Sequence, residues 1–116
     1  MSGHTRVIET YGHMGRVGVL VELCLDTEFT AQMPEFKELA RHLAVQVAAN
    51  NPISVDALLS QPFYKDPAKS IKQVIADASQ LLGETVLISR FVRWDTAADD
   101  GEPEPSVPSA RLAKQA

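Results

Sequence analysis

Apolar and polar positions alternate with period two along "VGVLVELCL", residues 17–25. The alternation puts Val17, Val19, Val21, Leu23 and Leu25 on one face and Gly18, Leu20, Glu22 and Cys24 on the other. This is the pattern of a strand with one covered face. A second apolar-rich run starts at Arg6 ("RVIETY"), and "GHMG" lies between the two. The pair predicts a hairpin whose short connection takes its dihedrals from Gly12 and Gly15.

Beyond "DTEFTA" the period becomes 3.6. Phe36, Leu39, Ala40, Leu43 and Val47 share one helical face, Pro34 suits the first turn, and Glu35 sits at the positive helix end. The helix is expected to stop at "NNP", because the residue before Pro52 is displaced from helical dihedrals. A short helical turn is expected around "SVDALLSQ", and a loop with two prolines at "PFYKDPAK". In "SIKQVIADASQLLG", Ser70 and Gln73 have capping-box spacing, Ile71, Val74, Ile75, Ala78, Leu81 and Leu82 form an apolar stripe, and Gly83 supplies the stop. The β-branched and aromatic run "ETVLISRFVRWDT" predicts a third strand. Segregated strands and helices in this order imply an α+β domain: a small three-stranded antiparallel sheet with helices packed on one face. Residues 1–96 are expected to form that domain. Residues 97–116, with three prolines and no apolar period, read as a flexible Pro-rich tail.

Composition narrows the function. A chain of 116 residues suits one domain that buries roughly two thirds of its unfolded surface. A net charge of -4 argues against a nucleic-acid partner, whose phosphates need clustered Lys and Arg. A single cysteine, Cys24, fits a reducing compartment. With no signal-peptide core and no apolar run approaching the roughly 20 residues of a membrane span, the expectation is a cytoplasmic protein without membrane association.

The candidate chemistry is sparse. His4, His13 and His42 lie in three elements without metal-ligand spacing, so no metal is expected. Gly12, Gly15 and Gly18 sit in and beside a hairpin, not between a strand and a helix, which excludes a phosphate fingerprint. Cys24 lies between Leu23 and Leu25 with Asp26 nearby, a setting that opposes a thiolate. Asp26 and Glu28 have no convergent donor to make them an acid and base pair. No cofactor and no enzyme activity are implied. What stands out is Phe29, at the point where the strand pattern ends. It is either a core aromatic that staples the strand end to the next helix or an anchor presented on a loop for a partner, and the pattern leaves both open.

The runs "GRVGVLVELCLDTEFTAQMPEFKELARHLAVQVAANNP", "LLSQPFYKD" and "LGETVLISRFVRW" resemble the core domain of bacterial elongation factor Ts, from about Val7 to Asp95. The resemblance implies a translation factor that binds an elongation factor Tu-like GTPase and promotes GDP release without covalent chemistry. In that family a Thr-Asp-Phe segment contacts the GTPase, with its Phe wedged between helices near the magnesium and phosphate site. The matching positions here are Thr27, Glu28 and Phe29, and the resemblance favours the presented aromatic. Glu28 replaces the family's Asp, and Thr30 stands where Val usually follows. The family's N-terminal helical domain has no counterpart, and only one core module is present, so reduced exchange activity is expected. The second reading is a module that homodimerises through the uncovered sheet face, on which strict alternation would place Leu20, Leu87 and Phe91.

Overall fold

A computed structural model of the chain describes residues 4–97; the expected tail lies outside the described residues, apart from its first residue, Ala97. The first hairpin pairs β1 (Thr5–His13) with β2 (Val17–Leu25), antiparallel from Thr5↔Leu25 to His13↔Val17. Its connection uses positive φ at Met14 (56°) and Gly15 (68°), closed by the Arg16 N–H donating to the His13 carbonyl at 2.9 Å. Gly12 does not take part in the turn. It is a strand residue opposite Gly18, and Met14 adopts the left-handed conformation expected of a glycine.

The fold is α+β. The sheet order is β1-β2-β5, with β5 (Leu87–Asp95) antiparallel to β2. Val19, Val21, Leu23 and Leu25 are buried on the face covered by the helices, as the alternation predicts. After β2 comes a short helix, α1 (Glu28–Ala31), then α2 (Pro34–Asn50), which crosses β1 and β2 and buries Phe36, Leu39, Leu43 and Val47 against them. Burying a Phe or Leu contributes about 1.5–3 kcal/mol, so this seam is a large part of the driving force. Arg93 of β5 donates to the Ala48 carbonyl at 3.0 and 3.1 Å, where cations favour the negative helix end. The helix ends as expected at "NNP", but Asn51 takes the left-handed cap (φ 48°, ψ 57°) and not the extended conformation. Asn tolerates that region, and the Asn51 N–H can then bond back to Val47.

The short helical turn expected around "SVDALLSQ" is α3 (Val55–Ser60), and Ser54 caps it. The expected loop "PFYKDPAK" is instead a small ribbon, β3 (Pro62–Phe63) with β4 (Asp66–Ser70). Its prolines occupy positions where a two-stranded ribbon has no inner ladder to lose. Next, α4 (Ile71–Leu82) packs on α2, and the Ser70 hydroxyl accepts the Gln73 N–H at 3.1 Å. The Gln73 side chain turns forward to Asp77 at 2.8 Å, so only half of the expected capping box forms.

Phe91 corrects the expectation for the open sheet face. Glu22 pairs with Arg90 and Leu23 with Ile88, leaving Ser89 as an extra residue in β5. The bulge reverses the alternation, because one added residue flips every side chain beyond it. Leu87 stays on the open face, but Phe91 pairs with Val21 and packs into the core. Val92 and Trp94 take the open face with Ile8 and Leu20. Among the described residues no helix is long and apolar enough to cross a membrane.

Candidate functional site

The turn between β2 and α2 is built from Thr27 upward. Thr27 has extended dihedrals and is the N-cap of α1; its hydroxyl accepts the Thr30 N–H at 3.2 Å, and its carbonyl accepts the Ala31 N–H at 3.2 Å. One face of this single turn faces inward, with Thr30 and Ala31 buried. The opposite face carries Glu28 and Phe29, and Phe29 is 80% exposed. The core-staple reading of Phe29 is thereby excluded. Glu28 makes no side-chain hydrogen bond or ion pair among the described residues, and its place in the first turn suits the positive helix end. Thr27, Glu28 and Phe29 thus sit together on one projection, with Thr27 shaping the backbone and the other two facing solvent.

A residue that sequence reasoning passed over holds this projection in place. The Glu84 carboxylate, at the entry to β5, accepts four hydrogen bonds from the turn. Oε1 receives the backbone N–H groups of Asp26 (3.1 Å) and Thr27 (3.2 Å), and Oε2 receives the hydroxyls of Thr27 (2.6 Å) and Thr30 (2.7 Å). The hydrogen bond from the Thr27 hydroxyl is the first cause that lowers the Glu84 pKa below the usual glutamate value, with the Thr30 hydroxyl and the two amides adding to it and partial desolvation opposing. Glu84 is itself fixed. Gly83 ends α4 in the left-handed region (φ 75°), and the Glu84 N–H returns to the Ser79 carbonyl at 3.2 Å, the closing bond of a Schellman motif. The sequence signals for Glu84 were an acid directly after a helix-ending glycine and its place in the run "LGETVLISRFVRW"; neither points to partners so distant in the chain.

Other candidate groups stay apart. His4, His13 and His42 do not converge, and no metal-binding cluster exists among the described residues. Cys24 is buried and unpaired. Beside α1 an open groove of about 510 Å³ lies between β1 and α2, lined among others by Arg6, Glu9, Glu28, Lys37 and Arg41. Its mixed charges and open form differ from the enclosed apolar pockets that take small molecules. The arrangement presents an aromatic on a fixed backbone and brings no reactive pair together.

Comparison with known proteins agrees with this architecture. The family model described as "Elongation factor TS" matches residues 1–58, half of the chain. Curated relatives named "Elongation factor Ts" include one from Rubrobacter xylanophilus, 31% identical with 79% of this chain and 71% of the relative covered. Another, from Thermodesulfovibrio yellowstonii, is 28% identical with 83% and 70% covered, and one from Oleidesulfovibrio alaskensis is 30% identical with 79% and 70% covered. The Rubrobacter alignment runs over 138 positions, more than this chain has residues, so the relative carries segments that this chain lacks. On the identity and coverage of these matches, the chain belongs to the elongation factor Ts family.

Proposed function

We propose that the chain acts in translation elongation by binding an elongation factor Tu and promoting release of its GDP, with Thr27, Glu28 and Phe29 as the contact segment. The observation that carries this reading is Phe29: an aromatic, 80% exposed, on a turn whose backbone is fixed at both ends. Exchange of this kind needs no reactive group. The factor must bind the nucleotide-free GTPase more tightly than the nucleotide-bound form, and linkage then requires nucleotide to bind the complex more weakly. A rigidly presented apolar side chain that competes for packing space inside the GTPase supplies such a difference. Burying one Phe contributes about 1.5–3 kcal/mol, roughly a ten- to hundredfold shift in equilibrium. A wedge of this size supports exchange slower than that of relatives with additional segments.

The test is stopped-flow release of fluorescent GDP from elongation factor Tu as a function of factor concentration, beside a binding titration. Acceleration that saturates with concentration supports the assignment. No complex and no acceleration at tens of micromolar would refute it.

A second reading concerns the open sheet face. Leu20 and Val92 lie between the Gly12–Gly18 row, which carries the 73% exposed Trp94, and the Glu22 row, which carries Ile8; Leu87 lies beyond the Glu22 ion pairs with Arg6 and Arg90, and together these side chains make the face largely apolar. A face of this kind suits a second copy of the chain packed sheet to sheet. Solution mass against concentration tests it: a constant monomer mass into the hundreds of micromolar would exclude the dimer.

A further inference from the structure

We infer that Glu84 is the positioning residue for the exchange segment: its carboxylate clasps the Asp26–Thr30 turn, with Thr30 as the fourth donor, and so sets the direction in which Phe29 projects. The inference rests on the reading of Phe29 as the contact aromatic. Three observations carry it. First, all four bonds fall on one carboxylate and come from one turn, from two amides and two hydroxyls between 2.6 and 3.2 Å. Ionised acceptors make the stronger hydrogen bonds, and a group of four leaves the turn few alternative conformations. Second, α1 is a four-residue helix, too short to hold itself together, so its geometry must be imposed from outside. Third, the donors at Thr27 and Thr30 flank Phe29 on both sides. A valine at position 30 would have no hydroxyl to give. Thr30 is 4% exposed and its hydroxyl is committed to Glu84 at 2.7 Å, so this chain adds a bond to the clasp that an apolar residue there could not make.

The carboxylate touches nothing that reacts; it acts through Phe29. Its loss should change how well the bound factor drives nucleotide out more than how often the complex forms. The test uses the full chain, Glu84→Gln and Thr30→Val, with two measurements. Amide hydrogen exchange reads the clasp without any partner. In Glu84→Gln the bonded amides of Asp26, Thr27 and residues 30–33 are expected to exchange about tenfold faster or more, while those of Val21 and Leu23 in the sheet keep their protection. GDP release from elongation factor Tu, per folded molecule, reads the consequence: the maximal rate at saturating factor falls about tenfold while the half-saturating concentration changes little. Thr30→Val, which removes one donor of the four, falls between Glu84→Gln and the parent chain in both measurements. A merely structural Glu84 would lower the folded fraction and leave the saturating rate per folded molecule unchanged, and that result overturns the inference. So does unaltered exchange of the turn amides in Glu84→Gln. If the unsubstituted chain releases no GDP, the contact reading of Phe29 fails and this inference with it, and the failure appears in the parent protein, not in the variants.

Discussion

Phe29 and Phe63 occupy similar places in the chain and have opposite fates. Each lies in a short segment between larger elements, Phe29 in α1 and Phe63 in β3, and each segment is held by one side chain from another element. Glu84 clasps the first with four charge-assisted bonds. Gln46 of α2 holds the second: its amide donates to the Gln61 side chain (3.0 Å) and the Pro62 carbonyl (3.1 Å), and its carbonyl accepts the Tyr64 N–H at 2.9 Å. Yet Phe29 is 80% exposed and Phe63 only 8%. The difference lies in where the clasp sits. Gln46 is fully buried and draws its turn into the core, where Phe63 packs 5.5 Å from the His42 ring and 5.2 Å from Tyr64. Glu84 lies at the rim, and the inward face of its turn is filled by Thr30 and Ala31, so Phe29 has nowhere to go but outward. A fixed turn therefore does not by itself bury its aromatic. Holding Phe29 in solvent gives folding nothing, and on the proposed reading its burial contributes only in a complex.

The contrast can be broken most severely at Phe63. Phe63→Ala should cost about 3–5 kcal/mol, the usual range for emptying a packed aromatic site. Chemical denaturation checks it, and a loss below about 1 kcal/mol, typical of surface substitutions, would place Phe63 with Phe29. Gln46→Ala comes next. It leaves the part-buried Tyr64 N–H without its acceptor, and the expected cost is about 1–3 kcal/mol, read in the same experiment.

How far these features could be read in advance depended on whether they were local. The strands, the two long helices and the Gly83 stop follow from period and capping, which act within a few residues, and the structure has them where expected. Besides the left-handed Met14 and Asn51, three larger features escaped. The 62–70 ribbon reads as a loop because its prolines mask a pairing that Gln46 and the Ile71 bond to the Gln61 carbonyl hold in place. The Ser89 bulge is invisible in β5 alone, since an extra residue shows only against its partner strand, and it moved Phe91 from the open face to the core. The Glu84 clasp joins residues more than fifty positions apart, beyond the reach of any periodicity. Thr27, Glu28 and Phe29 could be named from their resemblance to a family motif; what fixes their geometry could not.

A smaller effect sharpens the comparison on the open sheet face. Trp94 is exposed, like Phe29, but lies in a flat row with Gly18 and Gly12 and not on a projection. Trp94→Ala should leave stability within about 0.5 kcal/mol and GDP release unchanged, while weakening any self-association about tenfold in sedimentation equilibrium. A loss of exchange in this variant would mean that the two aromatics share one partner surface.

The smallest effect is that of pH. The folded-state pKa of Glu84 is lowered, so the stability it contributes is complete above the unfolded-state value and is lost as pH falls through the lower folded-state value. Protection of the bonded amides of Asp26, Thr27 and residues 30–33 should therefore persist on acidification through the ordinary glutamate range near 4.5 and fail below it. The Gln46 turn, with no ionisable clasp, should show no such local loss. Hydrogen exchange across an acid titration checks both, and failure of the two turns together would show global unfolding and not local release.

The central claim is that Phe29 is displayed for a partner and not for the fold, and it is tested most directly by GDP release from elongation factor Tu with Phe29→Ala beside the parent chain, normalised to folded protein. The account predicts stability within about 1 kcal/mol of the parent and stimulated release reduced tenfold or more. Full stimulation by a folded Phe29→Ala protein, or a loss of stability of about 3–5 kcal/mol with unchanged activity per folded molecule, would contradict it.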